Sequence, residues 1–200
     1  MNQLFCDGGV VGSNPSAIGG TYAWRQVVDD QPVAEGAHFI SARDARVPAV
    51  TNNLTEMLAL IKGLESLPAD WRGTVLSDSQ ITLGRAFLGW KWNNIPLWAH
   101  HRFQTVRAWL VHFDAFEHVL LAGHPTRAQL AAGIGRHGYP VSLHNVWCDK
   151  ACTRAGEEAL EQMQYQIKPT NETLHTSVDF SADRSGHYVN VILVPVSAGG

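Results

Sequence analysis

At 200 residues and 45% hydrophobic, the chain is sized for one globular domain with enough core to fold alone. Only 16% of residues are charged and the formal net charge is −3, which excludes a disordered polyelectrolyte and a chain that coats nucleic acid by bulk charge, though not one with local basic patches. No apolar run approaches the roughly 18–20 residues of a membrane span, and the opening MNQLFCDGG lacks the charged-then-apolar order of a signal peptide. Three cysteines, an odd count, argue against a disulfide framework; Cys148 and Cys152, four apart, are expected as reduced core thiols. A cytoplasmic protein is expected, with no membrane and no obligate protein partner.

In chain order, residues 3–6 form a short apolar strand entering Asp7-Gly8-Gly9, and the turn formers GSNPS follow at 12–16. Residues 20–28 and 33–41 read as strands around the hairpin turn DDQP, completing a three-strand antiparallel meander. The period then changes. Leu54, Leu58, Ile61 and Leu64 mark a helix face, with Asn53 and Glu56 spaced as a capping box and Pro68 past the end. A strand at 74–77 runs into Asp78, and a helix follows to about Leu88. After the aromatic turn WKWNNIPLW, a long helix is expected over 97–116, a fifth strand over 117–121, and a helix from Asn145 that carries Asp149.

Strands joined by helices are parallel neighbours with right-handed crossovers. The expected architecture is therefore α/β, a mixed five-stranded sheet of a three-strand meander plus two parallel strands, flanked by helices. Two β-like runs around the turn at 182–186 predict a C-terminal hairpin, which must pack on the body or on a second copy because an isolated hairpin is marginal in water. The expected organisation is a catalytic domain over 1–168 and an extension over 169–200.

Each of four acids has a local alternative reading. Asp7 could be a turn residue, Glu56 a capping-box glutamate, Asp78 a helix N-cap and Asp149 a solvated helix charge. Their combination points elsewhere. Asp7 and Asp78 end neighbouring strands, where open α/β sheets place ligands, and Glu56 lies on the helix crossing between them. Two carboxylates ~4 Å apart repel by ~4 kcal/mol at an effective dielectric near 20. Divalent cations offset that repulsion, and oxygen ligands select Mg²⁺ or Mn²⁺. Two such ions ~3.5–4 Å apart clamp the attacking and leaving oxygens of a phosphodiester.

CDGG-x4-NP at 6–15, TNN-x2-E at 51–56, DSQ at 78–80 and N-x2-CD at 145–149 occur in the order of the type 1 ribonuclease H signatures, over residues 4 to about 160. The chain resembles that family. The resemblance implies the ribonuclease H-like fold and an endoribonuclease that cuts the RNA strand of an RNA–DNA hybrid, leaving 5′-phosphate ends. It implies two Mg²⁺ ions, replaceable by Mn²⁺, on Asp7, Glu56, Asp78 and Asp149. It also places Asn14, Asn52 and Gln80 where the family contacts the hybrid; Asn53, beside them, joins the polar loop expected to read the 2′-hydroxyl.

Two features depart from the family pattern. His124, in GHP, best fits its mobile histidine, with His137 and His144 as rivals, yet twenty residues separate it from Asn145. That stretch is rich in glycine, contains a short helical run, and is expected to carry Arg127 or Arg136 towards the hybrid. The other departure is the tail beyond Pro169. Lys91 and Arg102 are further candidate hybrid contacts, while Trp92, Trp98 and Trp109 are expected in the core. Two rival functions remain: a DNA nuclease or resolvase on a related sheet, and a catalytically silent hybrid-binding module. The intact acids argue against the second.

Overall fold

Strand β1 (Asn2–Val10) frames the molecule because its side chains alternate between two buried faces. Leu4 and Cys6 face helix α1 (Asn52–Glu65), whereas Phe5 faces helix α5 (Leu143–Ile167) with Ala151 and Cys152. The computed structural model describes residues 1–167. The expected C-terminal hairpin lies outside the described residues.

Antiparallel to β1 runs β2 (Gly19–Val28), followed by β3 (Gln31–Ser41). On the other edge β4 (Thr74–Ser77) and β5 (Glu117–Leu120) pair in parallel, giving the order β3-β2-β1-β4-β5. This is the expected mixed sheet. β1 is longer than its apolar run, because Gly8 and Gly9 keep pairing with Tyr22 and Thr21 instead of turning away.

The segment α1 is buried along most of its length, with Leu54, Met57, Leu58, Leu60, Ile61 and Leu64 at 0–2% exposure. Such a helix needs apolar residues on more than one side, and each such side chain contributes about 1.5–3 kcal/mol. Its N-cap is Thr51, whose hydroxyl accepts from the Leu54 N–H at 3.3 Å. The expected Asn53–Glu56 capping box is therefore absent: Asn53 is already inside the helix, and Glu56 is free for other work. Gly8 allows α1 to approach the sheet. A Cβ there would lie 2.3 Å from the Glu56 backbone nitrogen and 2.4 Å from the Thr55 carbonyl carbon.

Helix α2 (Gln80–Phe87) is capped by Ser79, which accepts from the Thr82 N–H, so Asp78 is not the N-cap. Helix α3 (Leu97–Trp109) buries Ala99, Phe103 and Val106. It ends short of the expected residue 116 because the Val111 N–H bonds to the Ala69 carbonyl, and a 3₁₀ turn follows at Phe113–Ala115. That exit leaves Trp109 61% exposed, against the expectation of a core residue. Trp92 and Trp98 do pack on the core, and the Trp98 indole donates to the Ala45 carbonyl at 3.0 Å. Between β5 and α5 the chain forms the short helix α4 (Arg127–Ala132), and α5 begins two residues before Asn145.

Replacing Gly8 with alanine sets a side chain against main-chain atoms that cannot rotate away. Gly8→Ala is expected to destabilise the fold by about 2–3 kcal/mol. The corresponding fall in Tm, measured by thermal unfolding, is on the order of 4–12 °C.

Candidate active site

The register of β1 and β4 brings the first two acids together. Phe5 pairs with Leu76 in parallel, so two residues further on Asp7 meets Asp78 across strands spaced about 4.8 Å apart. Both fall on the α5 side, following Phe5 and Leu76 by the alternation of side chains. Asp149 approaches from α5, on which the Cys152 thiol donates to the Asp7 carbonyl at 3.4 Å. Glu56 arrives over Gly8 with α1.

Asp7 is 8% exposed, and its Oδ1 accepts from the Gly8 N–H at 2.8 Å. Burial raises its pKa well above the ordinary carboxylate range. Asp78, Asp149 and Glu56 push it further, against the Gly8 hydrogen bond. Burial likewise raises Asp78, and Asp149 adds to the effect, while His124, a backbone N–H and the Asn145 side chain oppose it. Glu56 is pushed up to about 7 by burial, which outweighs the Ser79 and Thr82 hydrogen bonds and Arg85 and is reinforced by Asp78. The carboxylates are thus within electrostatic reach of one another, and the donors around them are almost all neutral.

Glu56 is held from both sides. The Asn52 amide donates to Oε1 at 2.7 Å, the Ser79 hydroxyl donates to Oε2, and the Thr82 hydroxyl reaches Oε2 at 3.4 Å. Asn14 in turn accepts from the Asn52 N–H at 3.2 Å, tying the first loop to the start of α1. Asn52 holds the Glu56 carboxylate directly and Asn14 holds Asn52. Asn53 is half-buried on the first turn of α1, and Gln80 is exposed beside Asp78.

His124 Nδ1 lies 3.7 Å from Asp149 Oδ2, and its charge bears on Asp78 as well. Of the rivals, His144 bonds to Asp30 at 3.1 Å, and His137 sits with Tyr139 on the loop between β5 and α5. Arg102 is engaged in a two-pronged pair with Glu65 near the far end of α1, nine residues from Glu56. Lys91 is exposed, and its carbonyl accepts from Arg85. Neither residue is brought to the acids.

Several residues that matter here were not among the candidate site residues, although Ser79 and Asn145 lie inside the DSQ and N-x2-CD signatures. Ser79, Thr82 and Asn145 hold carboxylates, and Gly123 lies against Asp78, so that a Cβ there would be 2.6 Å from Oδ2. Arg85 is 8% exposed and donates to the Lys91 and Asn93 carbonyls, with its Nη1 unpartnered. Asn145 is 3% exposed with an unpartnered Oδ1. The signal for Ser79 and Asn145 was their place in those signatures, one beside Asp78 and the other one helical turn before Asp149; Thr82, Arg85 and Gly123 had none.

Among the described residues, no three acid, histidine or cysteine side chains stand close enough together, as they lie here, to hold a metal ion. The donor set nonetheless suits Mg²⁺, which binds through one or two carboxylates and keeps waters and substrate phosphates for its other positions. Mutually repelling oxygen donors at the mouth of a sheet, with no thiolate facing them, have the chemistry of such a site.

No protein-family model matches the sequence, and no curated protein does. Solved structures do. The N-terminal RNase H domain of a Mycobacterium tuberculosis protein is 20% identical with a TM-score of 0.55, over 81% of this chain and 97% of that one. RNase H1 from Halobacterium salinarum is 21% identical with a TM-score of 0.53, over 78% and 98%. LC11-RNase H1, in complex with RNA/DNA hybrid, is 18% identical with a TM-score of 0.55, over 80% and 99%. The chain has the ribonuclease H fold. Among the described residues, no helix is long and apolar enough to cross a membrane.

Because Glu56 has a pKa raised from 4.5 to about 7, the metal-free fold binds more protons than the unfolded chain between those values. Stability conferred by the neutral form is complete below the ordinary value and is lost as pH rises through about 7. In chelator, the free energy of unfolding should fall between pH 5 and 8, by up to about 3 kcal/mol from this group. Glu56→Gln should remove this group's share of the fall and leave that of Asp7 and Asp78.

Proposed function

We propose that this protein hydrolyses the RNA strand of RNA–DNA hybrids, as a metal-dependent endoribonuclease. The observation that carries the reading is the convergence of Asp7, Glu56, Asp78 and Asp149, from four separate elements, to within electrostatic reach of one another where the pairing of β1 with β4 ends. Three of them have pKa values raised by burial and by one another. Isolated structural carboxylates would be expected to find cationic partners, and these are crowded together among neutral donors. The ribonuclease H fold, and the hybrid bound to one of its structural neighbours, support the choice of substrate.

Asp7, Glu56, Asp78 and Asp149 would hold two Mg²⁺ ions, or Mn²⁺ in their place. When bound, these supply charge neutralisation and an activated water for phosphodiester hydrolysis. The protein's own part is positioning. Asn52 and Ser79 fix the Glu56 carboxylate in one orientation, and the Gly8 N–H fixes that of Asp7. His124, exposed beside Asp149, is placed to accept or deliver a proton at its imidazole. Asn52, Asn53 and Gln80 present short polar groups for the 2′-hydroxyl, the group that separates RNA from DNA. Asn14 contributes from the first loop by holding the Asn52 backbone.

Asp78→Asn keeps the volume and removes the charge. It should abolish turnover in Mg²⁺ while the circular-dichroism spectrum and melt remain those of a folded chain. On matched substrates of one sequence, the wild type should cut the RNA strand of a hybrid and spare duplex DNA. Equal cutting of duplex DNA would favour a DNA nuclease on the same fold; equal hybrid binding with no released nucleotides would favour a silent binding module. Gln80→Ala should cost one contact, ~1–3 kcal/mol or roughly tenfold in kcat/KM. Asn52→Ala should cost more, because Glu56 loses a donor as well.

A further inference from the structure

The segment between β5 and α5 is a built structure. Helix α4 opens with a reciprocal capping box between Thr126 and Gln129. The chain then folds back on itself: the Gly135 N–H donates to the Tyr139 carbonyl at 2.8 Å, and Ile134 bridges Pro140. The Ala122 N–H donates to the Pro140 carbonyl at 2.9 Å, joining the returning strand to the residue just after β5. Gly135 is pressed against that same residue, so that a Cβ there would come within 2.2 Å of the Ala122 side chain.

Both stems of this segment stand at Asp78. Gly123 lies against its carboxylate, and Asn145 donates to it from the start of α5. The charge of the segment is one-sided. Between Glu117 and Asp149 there is no acidic residue, although the chain as a whole carries −3. Within it, Arg127 and Arg136 are exposed and pair with no acid among the described residues. Arg136 follows Gly135 and so starts next to Ala122, two residues from His124. Arg127 is four residues past Gly123, at most ~14 Å along an extended chain. That distance is about four base-pair rises of 3.4 Å.

We propose that this segment is a second nucleic-acid contact, in which Arg127 and Arg136 bind backbone phosphates within a few nucleotides of the bond to be cut. The proposal rests on the hybrid-cleaving reading of the site. Its rationale is electrostatic: four carboxylates repel an approaching polyanion, and two guanidinium groups without an acid partner among the described residues, on the segment whose stems stand at Asp78, offset that repulsion where the strand must pass. Being backbone contacts, they set position and affinity and carry no sequence preference.

The test is binding of the full chain to a fluorescently labelled RNA–DNA hybrid in chelator, followed by anisotropy between 50 and 200 mM salt. For the double variant Arg127→Ala/Arg136→Ala, the slope of log K against log salt should fall by about 2, at roughly 0.9 per phosphate. Affinity near 0.1 M salt should weaken by roughly tenfold. The double variant Arg127→Lys/Arg136→Lys should keep the wild-type slope. Both residues are exposed, so both variants should melt with the wild type. An unchanged slope in the alanine variant would overturn the proposal while leaving the active-site reading in place. A lysine variant as weak as the alanine one would also overturn it, since the effect would then not be one of charge. A wild type that neither binds nor cuts hybrid would overturn both.

Discussion

The approach of α1 to β1 at Gly8 is the contact on which the site depends. Backbone meets backbone there, with no room for a side chain between them. The approach sets the height at which Glu56 enters, beside Asp7 and above the end of β4. It also lets the sheet-facing residues of α1 reach the core, where Leu54, Met57 and Ile61 are buried. The same contact therefore serves stability and chemistry. Strand pairing does the rest, since the parallel register of β1 and β4 leaves Asp7 and Asp78 as neighbours.

Bringing these acids together is unfavourable in the absence of counter-charge, and the protein offsets the repulsion only partly. Asn52, Ser79, Thr82, Asn145 and the Gly8 N–H are neutral donors that orient the carboxylates without neutralising them. Arg85 and His124 act electrostatically on Glu56 and Asp78 respectively, yet the pKa values remain raised. A fully paired cluster would be stable and inert. A cluster left short of positive charge favours cations and the phosphates that accompany them, which is the property a phosphodiesterase requires.

Around this centre the polar loops divide between support and contact. Asn14 spends its carbonyl on the start of α1. Arg102, which reads in the sequence as a nucleic-acid contact, is tied to Glu65. The exposed arginines Arg127 and Arg136 lie instead on the segment after β5. Its fold-back onto Ala122 couples that segment to the strand that leads into His124.

How much of this was legible beforehand follows from the range of each interaction. The meander, the two parallel strands and the helices between them were readable, because alternation and helical period are written within a few neighbouring residues. The fold and the meeting of Asp7 with Asp78 followed from those patterns and the rule for crossovers. Local reading went astray where a competing partner lay far away in the chain. Glu56 fits a capping box by spacing, yet Ser79, 23 residues on, takes its oxygen. Trp109 fits a core helix by composition, yet the bond from Val111 to Ala69 turns the chain and leaves it in water. Which donor reaches which carboxylate, and which arginine meets an acid, are differences between partners distant in sequence. Only the tertiary structure decides them, because it alone sets which of those partners come within hydrogen-bonding distance.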